Sequence, residues 1–117
     1  MFAQLMGLKT IAPEALHRLS QQSGSVSIYD VNSPQSFDKA RVPGAKNLDP
    51  TAYDEHELPA DKQAPLVFYC SNPMCRKAPN AARRAKRIGY TDVRVMSAGI
   101  TGWLAAKLPT ESGASTP

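Results

Sequence analysis

Short apolar runs alternate with segments of helical period along the chain, and this alternation predicts an α/β layering. Pro13 opens a predicted helix with Ala15, Leu16 and Leu19 on one face. A proline at the first helical position costs no hydrogen bond, because that N–H is unpaired in any helix. Gly24 is placed to follow its end. Val26, Ile28 and the residues to Asp30 read as a short strand. Ser33-Pro34 reads as an N-cap followed by a first-turn proline, opening a short helix with Phe37 inward.

Val42-Pro43-Gly44-Ala45 is a turn into a short strand near Lys46 to Leu48. Asp49 to Ala64 is polar, interrupted by Pro50 and Pro59, and is expected as a connection with one helical turn at most. Leu66-Val67-Phe68-Tyr69 is a continuous apolar run between turn residues, which suits a central strand buried on both faces. Pro79 is expected to open the next helix, with Ala81, Ala82, Ala85 and Ile88 on one stripe and arginines on the other. Gly89 is placed as its C′ residue. Val93 to Met96 reads as another strand. Gly99 and Gly102 bracket an expected turn into a last helix, which carries Trp103 and Leu104 and is stopped by Pro109.

The 117 residues suit one domain, expected over 1–109, with a small polar flexible tail over 110–117. The formal charge of +4 is unevenly spread. Six cations (Arg76, Lys77, Arg83, Arg84, Lys86 and Arg87) fall in one segment with no acid among them. No aromatic residues interleave with them, so nucleic-acid binding is not expected. No apolar run approaches a membrane span, and the start lacks the basic region of a signal peptide. A soluble cytoplasmic protein with reduced thiols is the expectation. Two cysteines, Cys70 and Cys75, do not make a disulfide scaffold. His17 and His56 are far from them in sequence and no second cysteine pair exists, so zinc is not expected; no other cofactor is expected either.

The chemistry concentrates in Tyr69-Cys70-Ser71-Asn72-Pro73-Met74-Cys75-Arg76-Lys77. A buried strand ends at Cys70, a short loop follows, and a helix starts. Sites in open α/β sheets form beyond the carboxyl ends of strands. A helix N-terminus offers unpaired N–H groups and partial positive charge, which lowers the pKa of a nearby thiol and produces the nucleophilic thiolate. Arg76 and Lys77 stand where cations oppose the helix dipole, an arrangement that makes sense with an anion between them and the backbone. Arg83, Arg84, Lys86 and Arg87 are expected as a solvated face.

Asp30-Val31, Phe37 and Val42-Pro43-Gly44-Ala45-Lys46-Asn47-Leu48 form one block. Leu66 to Cys70 with Ala81-Ala82 and Ile88-Gly89-Tyr90 form a second, and Val93 to Met96 with Gly99 to Trp103 a third. In this order and spacing, over roughly Thr10 to Pro109, the chain resembles the single-domain rhodanese family. The resemblance implies a central, mostly parallel five-stranded sheet flanked by helices on both faces. It implies that Cys70 takes sulfane sulfur from a small anionic donor such as thiosulfate. The resulting persulfide passes that sulfur to a thiol or cyanide acceptor. Backbone N–H groups from Ser71 to Lys77, including those of Asn72, Met74 and Cys75, would cradle the persulfide. Arg76 and Lys77 would attract the donor, and Asp30 would support the site.

The chain departs from the family pattern in its loop, which lacks glycine and is about two residues longer, with Cys75 where an arginine usually stands. Asn32 replaces the usual arginine after Asp-Val. Two other readings follow. The count from Cys70 through five residues to Arg76 resembles rhodanese-like phosphatases and arsenate reductases, although Tyr69 stands in place of their histidine and Asp30 is the one candidate acid. A non-catalytic binding or sulfur-carrier module is the other. Cys75 itself leaves three roles open: an idle loop residue, a resolving thiol for Cys70, or the sulfur carrier. A disulfide with Cys70 requires a loop that folds back.

Overall fold

In the computed structural model, which describes residues 2–22 and 26–114, helices and strands alternate almost from the start. They run α1 (Phe2–Leu5), β1 (Lys9–Thr10), α2 (Pro13–Gln22), β2 (Ser27–Asp30), α3 (Pro34–Lys39) and β3 (Lys46–Asn47). A 3-10 turn (Glu55–Glu57), β4 (Leu66–Tyr69), α4 (Lys77–Ile88), β5 (Val93–Val95) and α5 (Gly99–Ala105) complete the chain. The five strands form one sheet in the order β1-β5-β4-β2-β3, and every neighbouring pair is parallel. Gly24, expected to end α2, lies outside the described residues, as do residues 115–117.

All four residues of β4 are buried, as an apolar run in a doubly covered parallel sheet requires. Side chains alternate across the sheet, so neighbouring residues serve different cores. Leu66, Phe68 and Cys70 pack on one face with Ala78, Ala81, Ala82 and Ala85 of α4. Val67 and Tyr69 pack on the other with Leu16 of α2, Phe37 of α3 and Trp103 of α5. Alanines along α4 bring its backbone close to the sheet, which sets the depth at which its N-terminus lies. Trp103 is fully buried, its indole Nε1 donating to the Pro109 carbonyl at 2.8 Å and its ring meeting His17 edge-on.

Most predicted elements are present, with four corrections. Helix α4 starts at Lys77, two residues before Pro79, because the first four N–H groups of a helix need no acceptor and a proline is tolerated there. Helix α5 starts at Gly99 and runs through Gly102, so only the first glycine is a turn residue. The sheet's fifth strand is the two-residue edge β1, both residues exposed, a length at which hydrophobic period gives no signal. The fourth correction is Arg84. It is half-buried, not solvated: its guanidinium donates to the carbonyls of Thr51 (3.0 Å) and Tyr53 (2.9 Å) and lies over the Tyr53 ring.

Where a flexible tail is expected from residue 110, Arg41 and Glu111 exchange backbone hydrogen bonds, each 2.9 Å long. Gly113 N donates to the Asp38 carbonyl at 2.7 Å.

Arg84 ties the polar connection to the helix that carries the site. Arg84→Ala should cost about 1–3 kcal/mol in urea unfolding, because two carbonyls, that of buried Tyr53 and that of exposed Thr51, lose charge-assisted donors. Arg83→Ala, on the exposed face, should stay within about 0.5 kcal/mol of the parent.

Candidate active site

Cys70 leaves β4 with its side chain on the α4 face and is 3% exposed. The loop that follows is shaped by its own sequence. Asn72 accepts from Met74 N through its side-chain oxygen (2.9 Å) and from Cys75 N through its carbonyl (3.1 Å). Pro73 fits the second position of such a turn, its φ already fixed. The turn folds the chain back so that Cys75 lies over Cys70, with Cα atoms 6.4 Å apart, and the two sulfurs form a disulfide. The expectation of two reduced thiols is thereby corrected. The physical reason is the Asn72-Pro73 turn, which supplies the folded-back path that a disulfide requires.

The start of the loop is held by α5. Ile100 N donates to the Cys70 carbonyl at 2.9 Å. Thr101 donates to the Ser71 carbonyl through both its N–H (3.0 Å) and its hydroxyl (2.9 Å). Gly99 makes this approach possible. Its φ is +67°, and a Cβ there would stand 2.5 Å from the Ser71 carbonyl carbon and 2.6 Å from Asn72 N.

The expected backbone cradle is partly present. Pro73 has no N–H, and those of Met74 and Cys75 are used inside the turn. Among the described residues, the N–H groups of Ser71, Asn72, Arg76 and Lys77 have no protein acceptor. Helix α4 has no side-chain cap at Arg76, so its positive end is open toward the loop.

Cys70, Asn72 and Cys75 line one small cavity of about 10 Å³, roofed by Phe2 and Ala3 of α1 and walled by Met96 and Ser97. A space of that size holds at most one water. The Ser97 hydroxyl is buried there and has no hydrogen-bond partner among the described residues. Arg76 is exposed, and its guanidinium stacks on the Phe2 ring at 4.5 Å. Lys77 is also exposed but faces a neighbouring cleft of about 350 Å³ with Asn32, Asp49 and Thr51. Ser71 takes part through its carbonyl, and Met74 stands 64% exposed at the loop tip.

Asp30 is not beside Cys70. It pairs in register with Tyr69, so its carboxylate lies on the opposite face of the sheet. There Oδ1 accepts from Asn32 N at 2.8 Å, and the Asp30 carbonyl accepts from the Asn47 side chain at 2.9 Å. Burial raises the pKa of its carboxyl, against the lowering effect of the Tyr69 hydroxyl and the Asn32 N–H. Tyr69, itself pushed up by burial, accepts from Val42 N at 3.0 Å. Asp30 thus organises the loop after β2.

Phe2, Ala3, Ser97 and Thr101 escape the sequence reading. The glycine at 99 was the one available signal for the α5 clamp, and nothing in the first ten residues marks them as a roof.

Gly99→Ala should destabilise the protein by roughly 2–4 kcal/mol in chemical denaturation, through left-handed strain and overlap with the loop backbone. A loss under about 0.5 kcal/mol would mean the clamp is not rigid. For Asp30, a raised folded pKa means the group favours the folded state at low pH. That contribution is lost as pH rises from the ordinary aspartate value of about 4 through the folded value. The stability of Asp30→Asn relative to the parent should therefore increase between pH 4 and pH 7, measured by urea unfolding at each pH.

Comparison with known proteins agrees with this architecture. The family model described as the rhodanese-like domain matches residues 12–106. The thiosulfate sulfurtransferase GlpE of Pseudomonas aeruginosa is 29% identical over 93 residues, spanning 80% of this chain and 81% of its own length. The HTH-type transcriptional regulator Rv0324 of Mycobacterium tuberculosis is 30% identical over 96 residues, 80% of this chain but only 41% of the regulator. Among solved structures, the BH2092 protein of Bacillus halodurans superposes with a TM-score of 0.81 at 18% identity, covering 93% of this chain and 80% of that one. A thiosulfate sulfurtransferase from Pseudomonas aeruginosa superposes with a TM-score of 0.78 at 23% identity, covering 92% of this chain and 20% of that one. The chain belongs to the rhodanese-like domain family.

Proposed function

We propose that the protein is a sulfurtransferase in which Cys70 is the nucleophile. The observation that carries this reading is the position of Cys70 at the end of β4, beside unpaired N–H groups at the open N-terminus of α4. Such a setting favours the thiolate over the thiol. The disulfide must first be reduced. The Cys70 thiolate then attacks the outer sulfur of a thiosulfate-like donor, the S–S bond of the donor breaks, and sulfite leaves with the bonding pair. The persulfide so formed carries a negative terminal sulfur, which the N–H groups of Ser71, Asn72, Arg76 and Lys77 can solvate in place of water. A thiol or cyanide then takes the outer sulfur and Cys70 returns as the thiolate. No cofactor enters, and a reducing compartment such as the cytoplasm suits the cycle.

Arg76 and Lys77 draw the anion toward the loop in this reading, one from each side of the helix start. Arg76 stacks on Phe2, which lines the cavity of the two cysteines, and Lys77 lines the adjacent cleft, so both act here as charges that attract the donor. The oxyanion alternative requires a guanidinium folded over the cysteine and a nearby carboxylic acid. Arg76 lies on Phe2 and Asp30 on the other sheet face, so the sulfur reading is favoured.

The reduced protein, freed of reductant and mixed anaerobically with thiosulfate, should release one sulfite per chain in a rapid first turnover. Cys70→Ser should release none. Sulfite from Cys70→Ser at the parent rate would remove Cys70 from the reaction. Raising the salt concentration should slow the parent, since the attraction of exposed cations is screened over about 10 Å at 0.1 M.

A further inference from the structure

The disulfide between Cys70 and Cys75 is badly placed for a structural staple and well placed for chemistry. It closes a loop of five residues' separation, and short loops gain least from a cross-link. That loop is already fixed without it, by the Asn72 turn at one end and the α5 hydrogen bonds at the other. One partner is the buried residue at the end of the central strand. The other is held over it, half-buried against the α4-side core. The Cα separation of 6.4 Å suits a disulfide, so the bond needs no backbone rearrangement to form. With the disulfide formed, the cavity lined by the pair, Phe2 and Ala3 is only about 10 Å³, so the two sulfurs fill the space against each other. Cys75 therefore stands within reach of the Cys70 sulfur from its own place in the loop.

We infer that Cys75 is an internal acceptor: its thiolate resolves a persulfide on Cys70 and releases the outer sulfur as sulfide. The step rests on the Cys70 persulfide proposed above. Cys75 Sγ attacks Cys70 Sγ, a new S–S bond forms between them, and the bond from Cys70 Sγ to the outer sulfur breaks. The outer sulfur leaves with the electron pair and takes the proton that the Cys75 thiol gives up, so that it departs as hydrosulfide. That sulfur is reduced by two electrons, and the two cysteine sulfurs are together oxidised by two. A dithiol reductant then returns both cysteines to thiols and becomes a disulfide itself. Summed over the cycle, thiosulfate and one dithiol give sulfite, hydrogen sulfide and one disulfide. The protein thus acts as a dithiol-dependent thiosulfate reductase, and its oxidised form is the state the structure holds.

Two features aid the attack. Cys75 lies two residues before α4, so its thiolate shares the electrostatic benefit of the helix N-terminus. Being tethered by the Asn72 turn, it reaches Cys70 without the entropy loss of bringing in a free thiol.

The test is a single turnover of the fully reduced chain, without reductant or air, against thiosulfate. Sulfite, sulfide, free thiols and intact mass are read together. The inference expects sulfide and sulfite in a ratio near one, loss of both thiols, and no lasting gain of sulfur. In Cys75→Ser and Cys75→Ala, each checked for a parent-like melting profile, the ratio should fall toward zero, with one extra sulfur retained on Cys70. Sulfite from the parent without sulfide, with a lasting persulfide and Cys75 still free, overturns the Cys75 step and leaves the Cys70 reading intact. Absence of sulfite from the parent overturns the Cys70 reading, and the Cys75 step with it. The parent arm decides the matter even where a variant fails to fold.

Discussion

The carbonyl oxygens of Cys70 and Ser71 lie just past the point where the β4 ladder stops, and they take their hydrogens from the first turn of α5. Everything at the site depends on that exchange of partners. A strand that ends in a buried position must satisfy its next carbonyls somewhere, since an unpaired buried carbonyl is costly. Here the acceptors are met by Ile100 and Thr101, and the contact is close enough that only a residue without a Cβ fits between them. The direction in which Cys70 leaves the sheet and the start of the Asn72 turn follow from it.

The alternation of side chains across the sheet supplies the second constraint. Tyr69 and Cys70 are neighbours in sequence but serve different cores. The face of Tyr69 also receives Asp30, Phe37 and Trp103, and works as a support. The face of Cys70 receives the alanines of α4, which let a twelve-residue helix lie close enough for its N-terminus to matter. Larger residues on that stripe would lift the helix and weaken its field at the sulfur, because such effects fall off within the first turn.

Much of this is legible in the sequence, and the parts that are not have identifiable reasons. Leu66 to Tyr69 could be placed as a buried central strand because four apolar residues between turn signals have few other homes. The N-cap at Ser33 and the start of α2 at Pro13 follow from local chemistry that needs no tertiary knowledge. The position of Cys70 followed from the same run. Asp30 could be placed at a strand end, but only the register with Tyr69 puts its side chain on the far face. The roof formed by Phe2 and Ala3 depends on contacts between the first residues and a loop seventy positions later, which no local pattern encodes. Arg84 reads as one more cation on a polar stripe, and only the folded path of Thr51 to Tyr53 gives it two carbonyls to hold.

The close approach at Gly99 divides the loop into two parts with different freedom. Its root, at Cys70 and Ser71, is gripped between strand and helix and has no room for change in length or backbone path. Its crown, from Asn72 to Cys75, is bounded mainly by its own internal turn and carries the exposed side chain of Met74. Changes of sequence in the crown should therefore disturb the fold less than changes at the root. The chemistry offered by the arc can thus vary with its own few residues, while Cys70 beneath it stays where the sheet puts it.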